Sequence, residues 1–291
     1  MTTVAQDITY EGTSHLLEGD EPLHYHEAGT GPGLLLLHGS GPGVNGWSNF
    51  GGNLSVFGEH FRTVFPDQPG FGKSYMPVID RAYAEISAAA IVRLLDHLGL
   101  DQVHVLGNSM GGRVAAELAL AYPDRVGRLV MMGPGGLGVN TLSPAPPEGM
   151  KRLFAFNREP TRERLMEWLT SMVSDPKTLT EELIDQRFAN VQQPGAVEWS
   201  QEFFKALNNP AFQGPVPLWA RSSLITQPTL LTWGRDDRVV PLENVLMPLR
   251  QMPNVELHVF SHCGHWAMIE RKEDFERVVL EFLTRPMEVQ S

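Results

Sequence analysis

The sequence predicts an α/β fold: a mostly parallel β-sheet with helices on both faces and an inserted helical lid. Three observations predict it. Short apolar runs alternate with stretches of helical spacing, the pattern of strands joined by crossover helices. One junction, Gly107-Asn108-Ser109-Met110-Gly111, packs small residues between a run of strand type and an amphipathic helix. The alternation then lapses from about Leu142 to Phe212 and resumes afterwards. The predicted organisation is therefore a core formed by residues 1–141 and 213–291, with residues 142–212 as a helical lid domain.

In chain order, Leu23 to Glu27 alternates like a half-buried strand, and Gly33 to Leu37 (GLLLL) is continuously apolar, as a strand covered on both faces must be. A third strand is expected at Phe61 to Phe65. The glycine and proline loop PDQPGFGKS follows it, and then a helix over Arg81 to Leu98 that stops at Gly99. The Ser109 strand and helix come next, followed by a strand over Arg128 to Met132. In the lid, Thr161 to Val173 and Glu181 to Val191 have helical spacing. The core resumes with a strand at Thr229 to Trp233, a helix around Leu242 to Leu249, a strand at Val255 to Phe260 and a last helix over Glu273 to Leu283.

Composition narrows the function. At 291 residues, 42% hydrophobic and 20% charged, the chain can bury a large core. A net charge of -11 argues against nucleic acid and anionic membrane surfaces, since phosphate binding needs clustered Lys and Arg. The start, MTTVAQDITYEG, has neither the basic nor the apolar region of a secretion signal, and no apolar run reaches the length of a membrane span. A cytoplasmic protein is expected. Its one cysteine, Cys263, cannot form an internal disulfide and reads as a small buried thiol. Short histidine pairs such as His24 with His26 lack the companions of a metal site, so neither metal nor cofactor is expected.

Ser109 sits where a strand turns sharply into a helix, which exposes its hydroxyl above the sheet and puts the Met110 amide beside any oxyanion formed there. A serine hydroxyl needs an oriented base to attack. Among the histidines, His258, His262 and His265 lie in or just after the last strand, and His265, in Cys-Gly-His-Trp, is the best base; His262 is the alternative. The carboxylate should follow the preceding strand, where Asp236 and Asp237 adjoin. The order serine, acid, histidine is that of α/β-hydrolases, and the spacing from Gly234 favours Asp237, leaving Asp236 a solvated loop charge. Further oxyanion donors should come from the loop after GLLLL, with Ser40 and Gly41 as candidates. Asp67 reads as a loop-capping carboxylate.

Five segments, HGSGPGxxGWSNF from His38, GNSMGG from Gly107, MGPGGLG from Met132, WGRDDRxVPL from Trp233 and CGHW from Cys263, occur in order along nearly the whole chain. Together they resemble the meta-cleavage-product hydrolases, which break carbon-carbon bonds in ring-opened products of bacterial aromatic and steroid degradation. The resemblance implies Ser109, Asp237 and His265 as the triad, and the amides of Ser40 and Met110 as the oxyanion hole. It also implies Asn49, Asn108, Arg187 and Trp266, helped by the Gly41 amide, around the dienoate carboxylate and enol oxygen of a small-molecule substrate. Ser40 departs from the family, many of whose members have glycine there; a backbone amide survives the change. At least a homodimer is implied as well.

The reaction so implied hydrolyses a 2-hydroxy-6-oxohexa-2,4-dienoate to a 2-hydroxypenta-2,4-dienoate and a carboxylic acid. A serine carboxylesterase shares the same triad, and a non-catalytic receptor could share the fold. The acid half of the substrate is expected to meet lid residues Phe154, Phe156, Trp168 and Met172.

Overall fold

The computed structural model describes residues 14–139, 145–214 and 216–286. The N-terminal start on which the cytoplasmic expectation rests, and the expected lid boundary at 142, lie outside the described residues. Among the described residues eight strands form one sheet: β1 (Ser14–Leu17), β2 (Leu23–Ala28), β3 (Gly33–Leu37), β4 (Arg62–Pro66), β5 (Val103–Asn108), β6 (Val126–Met132), β7 (Thr229–Gly234) and β8 (Val255–Phe260). Their order is β1-β2-β4-β3-β5-β6-β7-β8. The β1–β2 and β2–β4 pairs are antiparallel and all the others parallel.

All five residues of β3 are buried, as its central place between β4 and β5 requires. By contrast β1 is an edge strand with no fully buried residue, and sequence reasoning misses it because no apolar pattern marks it. The helix expected over 81–98 spans Tyr83–His97, and the last helix spans Lys272–Thr284. The segment expected as one helix near Leu242 begins as a 3-10 turn, Leu242–Val245, before the α-helix Leu246–Gln251.

Between β6 and β7 the regular structure of the described residues is helical. The main helices are Glu148–Arg158, Arg162–Met172, Glu181–Val191 and Ala196–Leu207. Thr161 and Thr180 cap the second and third by accepting the Arg164 and Leu183 amides, contacts worth about 1 kcal/mol each. These helices dock on the core through an aromatic cluster in which Phe203 meets Phe71 and Tyr83 edge-on, with ring centroids 5.6 and 4.9 Å apart. Among the described residues no helix is long and apolar enough to cross a membrane.

The sheet's consequence for function is positional. Parallel strands end on one side, so the loops after β3, β5, β6, β7 and β8 converge there. Those loops carry Ser40 and Gly41, Ser109, Gly133, Asp237 and His265 respectively.

Candidate active site

Ser109 joins β5 to the helix Met110–Ala121 with φ 54° and ψ -112°, a left-handed backbone that a non-glycine residue adopts only under constraint. The constraint is local. The Ser109 amide donates to Met132 O (2.9 Å), and its carbonyl accepts from the Arg113 and Gly135 amides (3.1 and 3.0 Å). A Cβ on Gly111 would stand 2.0 Å from Leu37 O, and one on Gly107 would stand 2.3 Å from Gly111 O. Only glycine lets strand and helix close to this distance.

His265 and Asp237 form a buried pair. The Nδ1 to Oδ2 distance is 2.6 Å, and both side chains are 1% exposed. Asp237 Oδ1 accepts the Val239 and Val240 amides at 2.8 and 2.9 Å, so the carboxylate is held at both oxygens. Nδ1 is thus committed to Asp237 and Nε2 is left over, which sets the tautomer a general base needs. Beneath the pair lies Gly133 (φ 49°), where a Cβ would stand 3.1 Å from the imidazole. Ser109 and His265 line the same cavity, although no hydrogen bond joins Ser109 Oγ to the imidazole among those of the described residues. Asp236 instead meets Ser174 Oγ (3.1 Å) and Arg235, and His262 is exposed at φ 51°. Among the described residues neither forms a hydrogen bond with His265.

The loop after β3 is braced from behind by His38, which burial holds at a pKa of about 4 and therefore neutral. Its Nε2 accepts the Gln68 amide (2.9 Å), so Nδ1–H donates to Gly39 O (2.7 Å). Asp67 is structural in the way its place predicts. Its Oδ1 accepts the Gly46 amide (2.8 Å) at the start of the helix Gly46–Phe50, which carries Asn49.

The cavity, about 160 Å³, is lined by Ser109, His265, Ser40, Met110, Gly41, Asn49, Asn108, Arg187 and Trp266; of the residues singled out from the sequence for the site, Asp237 alone stands behind it. Its walls carry no carboxylate. Arg187 is 1% exposed and, among the described residues, none of its three guanidinium nitrogens has a hydrogen-bond partner. Its Cζ lies 5.2 Å from the Trp266 ring centroid. Burial lowers its pKa to about 10, which still leaves a cation at neutral pH. Asn49 Nδ2 is likewise unpartnered, while its Oδ1 accepts the Gly39 amide at 3.4 Å. A buried, unpaired cation beside a serine and a histidine suits an anionic ligand.

Of the four lid residues expected around the acid half, Trp168 and Met172 line the Ser109 cavity and Phe154 and Phe156 do not. Phe154 lines a separate surface depression and Phe156 an adjoining cavity, so neither faces Ser109. Trp168 does line the Ser109 cavity, but at its polar end: a Cβ on Gly41 would stand 2.2 Å from Trp168 Cη2, and the Trp168 and Trp266 centroids are 6.2 Å apart. Met150, Leu153, Val239 and Val240 supply apolar wall instead.

Sequence reasoning also missed the residues that fasten the helical insertion to the histidine loop. Glu270 accepts the Gly264 amide (2.6 Å) with one oxygen and the Ser174 and Asp175 amides (2.6 and 3.1 Å) with the other. Arg238 donates to Val173 O (2.9 Å), and the His265 amide donates to Met172 O (2.7 Å). No sequence signal marks Glu270, whose partners are distant in the chain. Cys263 is buried, and burial, with Glu270 and Asp237 nearby, pushes its thiol pKa up, so it stays a thiol. Among the described residues no group of three or more His, Cys, Asp or Glu could hold a metal ion.

Comparison with known proteins places the chain in a family. The family described as alpha/beta hydrolase fold matches residues 32–272. A 2-hydroxy-6-oxo-6-phenylhexa-2,4-dienoate hydrolase of Burkholderia cepacia is 42% identical over 265 residues, 90% of this chain and 91% of that protein. A 2-hydroxy-6-oxononadienedioate/2-hydroxy-6-oxononatrienedioate hydrolase of Burkholderia vietnamiensis is 44% identical with the same coverage. Among solved structures, the meta-cleavage product hydrolase CumD of Pseudomonas fluorescens IP01, a serine-to-alanine mutant complexed with acetates, superposes with a TM-score of 0.82 at 30% identity, covering 94% of this chain and 97% of that one. With identity of this order sustained across nine-tenths of both partners, the chain is an enzyme of the alpha/beta hydrolase fold family and belongs, within it, to the meta-cleavage product hydrolases.

Proposed function

We propose that the protein hydrolyses the C5–C6 bond of a 2-hydroxy-6-oxohexa-2,4-dienoate, giving a 2-hydroxypenta-2,4-dienoate and a carboxylic acid. Ser109 is the nucleophile, His265 its base and Asp237 the group that orients the base. The Ser40 and Met110 amides form the oxyanion hole. Residues 142–212 act as the lid, the enzyme works in the cytoplasm, and at least two copies associate. The observation that carries the reading is the buried, unpaired Arg187 guanidinium beside a cavity shared with Ser109 and His265. An esterase needs no cation there, whereas a dienoate carboxylate pairs with it.

The chemistry requires that cation. Breaking a carbon-carbon bond leaves an electron pair on carbon, which is inaccessible unless it can delocalise. Moving the C2 hydroxyl proton to C5 gives a C2 ketone conjugated with the C3–C4 double bond. Arg187, Asn49, Asn108 and Trp266, with the Gly41 amide, hold the carboxylate and C2 oxygen while negative charge builds there. Ser109 Oγ then adds to the C6 carbonyl carbon as His265 Nε2 takes its proton. The C5–C6 bond breaks, its electron pair passing through C3–C4 to the C2 oxygen, which recovers the proton from His265. Water, activated by the same imidazole, hydrolyses the remaining acyl-serine.

The test is to follow 2-hydroxy-6-oxo-6-phenylhexa-2,4-dienoate by absorbance while benzoate and 2-hydroxypenta-2,4-dienoate are quantified chromatographically. Stoichiometric release of both is expected. Efficient hydrolysis of p-nitrophenyl esters, with phenyl, alkyl and carboxyalkyl dienoates all left intact, would make the protein an esterase.

A further inference from the structure

Trp168 carries a second anomaly of the kind seen at Arg187. Its side chain lies on the helix Arg162–Met172 and is 2% exposed, yet its Nε1 is buried with no hydrogen-bond partner. An indole nitrogen can only donate, and a buried one ordinarily finds an acceptor. Its place in the cavity is fixed by two contacts. The benzo edge presses on Gly41, where a Cβ would stand 2.2 Å from Cη2 and 2.9 Å from Cζ2. Trp266 crosses the ring at 84°, and the Arg187 Cζ lies 5.2 Å from the Trp266 ring centroid. The ring meets Gly41 by its tip, with Cζ3 3.1 Å from the same Cβ position, and Nε1, three bonds back from Cη2, lies behind that contact.

The unpartnered buried nitrogens along this cavity are Arg187 Nε, Nη1 and Nη2, Asn49 Nδ2 and Trp168 Nε1. All of them donate, and the cavity wall has no carboxylate to receive them. A carboxylate offers about four lone-pair positions, of which a guanidinium fork takes two. We infer that Trp168 Nε1–H donates to the C1 carboxylate of the dienoate, and that Trp168 is a specificity-determining residue which selects the free acid over an esterified or amidated C1. This rests on the substrate class proposed above. An ester retains a carbonyl acceptor but loses the charge and one acceptor oxygen, so the donor set is left partly unpaired.

Two replacements test the contact: Trp168→Phe, and the benzothiophene isostere of tryptophan incorporated at 168, which keeps the ring shape and removes the N–H. The quantity to measure is the ratio of kcat/KM for 6-phenyl dienoate to that for its C1 methyl ester. Loss of one hydrogen bond to a charged group should lower that ratio roughly 10- to 100-fold in the isostere. A packing role would slow both substrates and keep the ratio, so an unchanged ratio in the isostere overturns the inference whatever Trp168→Phe does. Calorimetric titration with 2-hydroxypenta-2,4-dienoate reads the contact without turnover. Should the wild-type protein cleave no dienoate, weaker binding of that anion by the isostere would keep the Trp168 contact while the reaction is refuted. Equal binding would overturn the contact.

Discussion

Replacing Arg187 with methionine should make the protein more stable and much less active, and the two signs together test the site. Among the described residues the guanidinium has no hydrogen-bond partner for its three nitrogens, with the Trp266 ring as compensation. A buried charge left without a counter-charge costs about 3–5 kcal/mol, of which a desolvated cation–π contact returns about 2 kcal/mol or more. Methionine keeps the stem's packing beside Ile184 and Val191 on the buried face of the helix Glu181–Val191. A net gain of about 1–2 kcal/mol is expected, equivalent to roughly 2–6 °C in Tm for a chain of this size. With the dienoate bound the balance reverses, because its carboxylate would be desolvated without a counter-charge, a loss of about 3–5 kcal/mol. That corresponds to a fall in kcat/KM of about 10² to 10⁴. Scanning calorimetry and rapid-mixing absorbance give the two numbers. A lowered Tm with unchanged dienoate turnover would show that Arg187 is a packing residue already satisfied in the free protein.

Ser109→Ala should retain dienoate binding and lose roughly three or more orders of magnitude in turnover, measured in single-turnover mixing; retention within about tenfold would remove the serine from the chemistry. Asp237→Asn should be severe, because its Oδ2 holds the His265 tautomer, and Asp236→Asn mild, because Asp236 hydrogen-bonds Arg235 and Ser174 among the described side chains and not His265; the opposite ranking in kcat would exchange their roles. Stability should fall with acid between about pH 6.5 and 4. Burial holds His26 and His38 at a pKa of about 4, so across that window the unfolded chain takes up protons that the folded one refuses, at a cost on the order of 2–3 kcal/mol per histidine. Urea midpoints at pH 7.0, 5.5 and 4.5 measure this, and a flat series would mean that neither ring is held neutral.

The legible parts of the chain are those where packing leaves little choice of residue. A central parallel strand is covered on both faces, so GLLLL could hardly be anything else, and the glycines at 107, 111 and 234 mark places where backbones nearly touch. What a helix faces is less legible than that it is a helix. Phe154 and Phe156 are two positions apart on Glu148–Arg158 and so point in different directions, which spacing alone already implied. Trp168 and Met172 are four apart and do share the cavity, but nothing in the sequence says which end of it Trp168 meets.

Arg187 shows the limit most clearly. Ile184, Arg187 and Val191 form the buried stripe of their helix, so spacing puts the arginine inward while its residue type argues outward, and only the family resemblance decided between them. What the backbone of Arg187 meets lies in another part of the chain. Gly43, at φ 64°, presses its Cα on the Arg187 carbonyl, where a Cβ would stand 2.2 Å away, and the Gly43 carbonyl accepts from Asn190 Nδ2 at 2.9 Å. The loop that bears Ser40 and Gly41 is therefore packed directly on the helix that bears Arg187. Backbone contact sets the separation between the proposed oxyanion donors and the proposed carboxylate partner, so a shift of that helix shifts both ends of the bound substrate relative to Ser109. Residues 43 and 187 are far apart in sequence, and no local pattern encodes a distance between them.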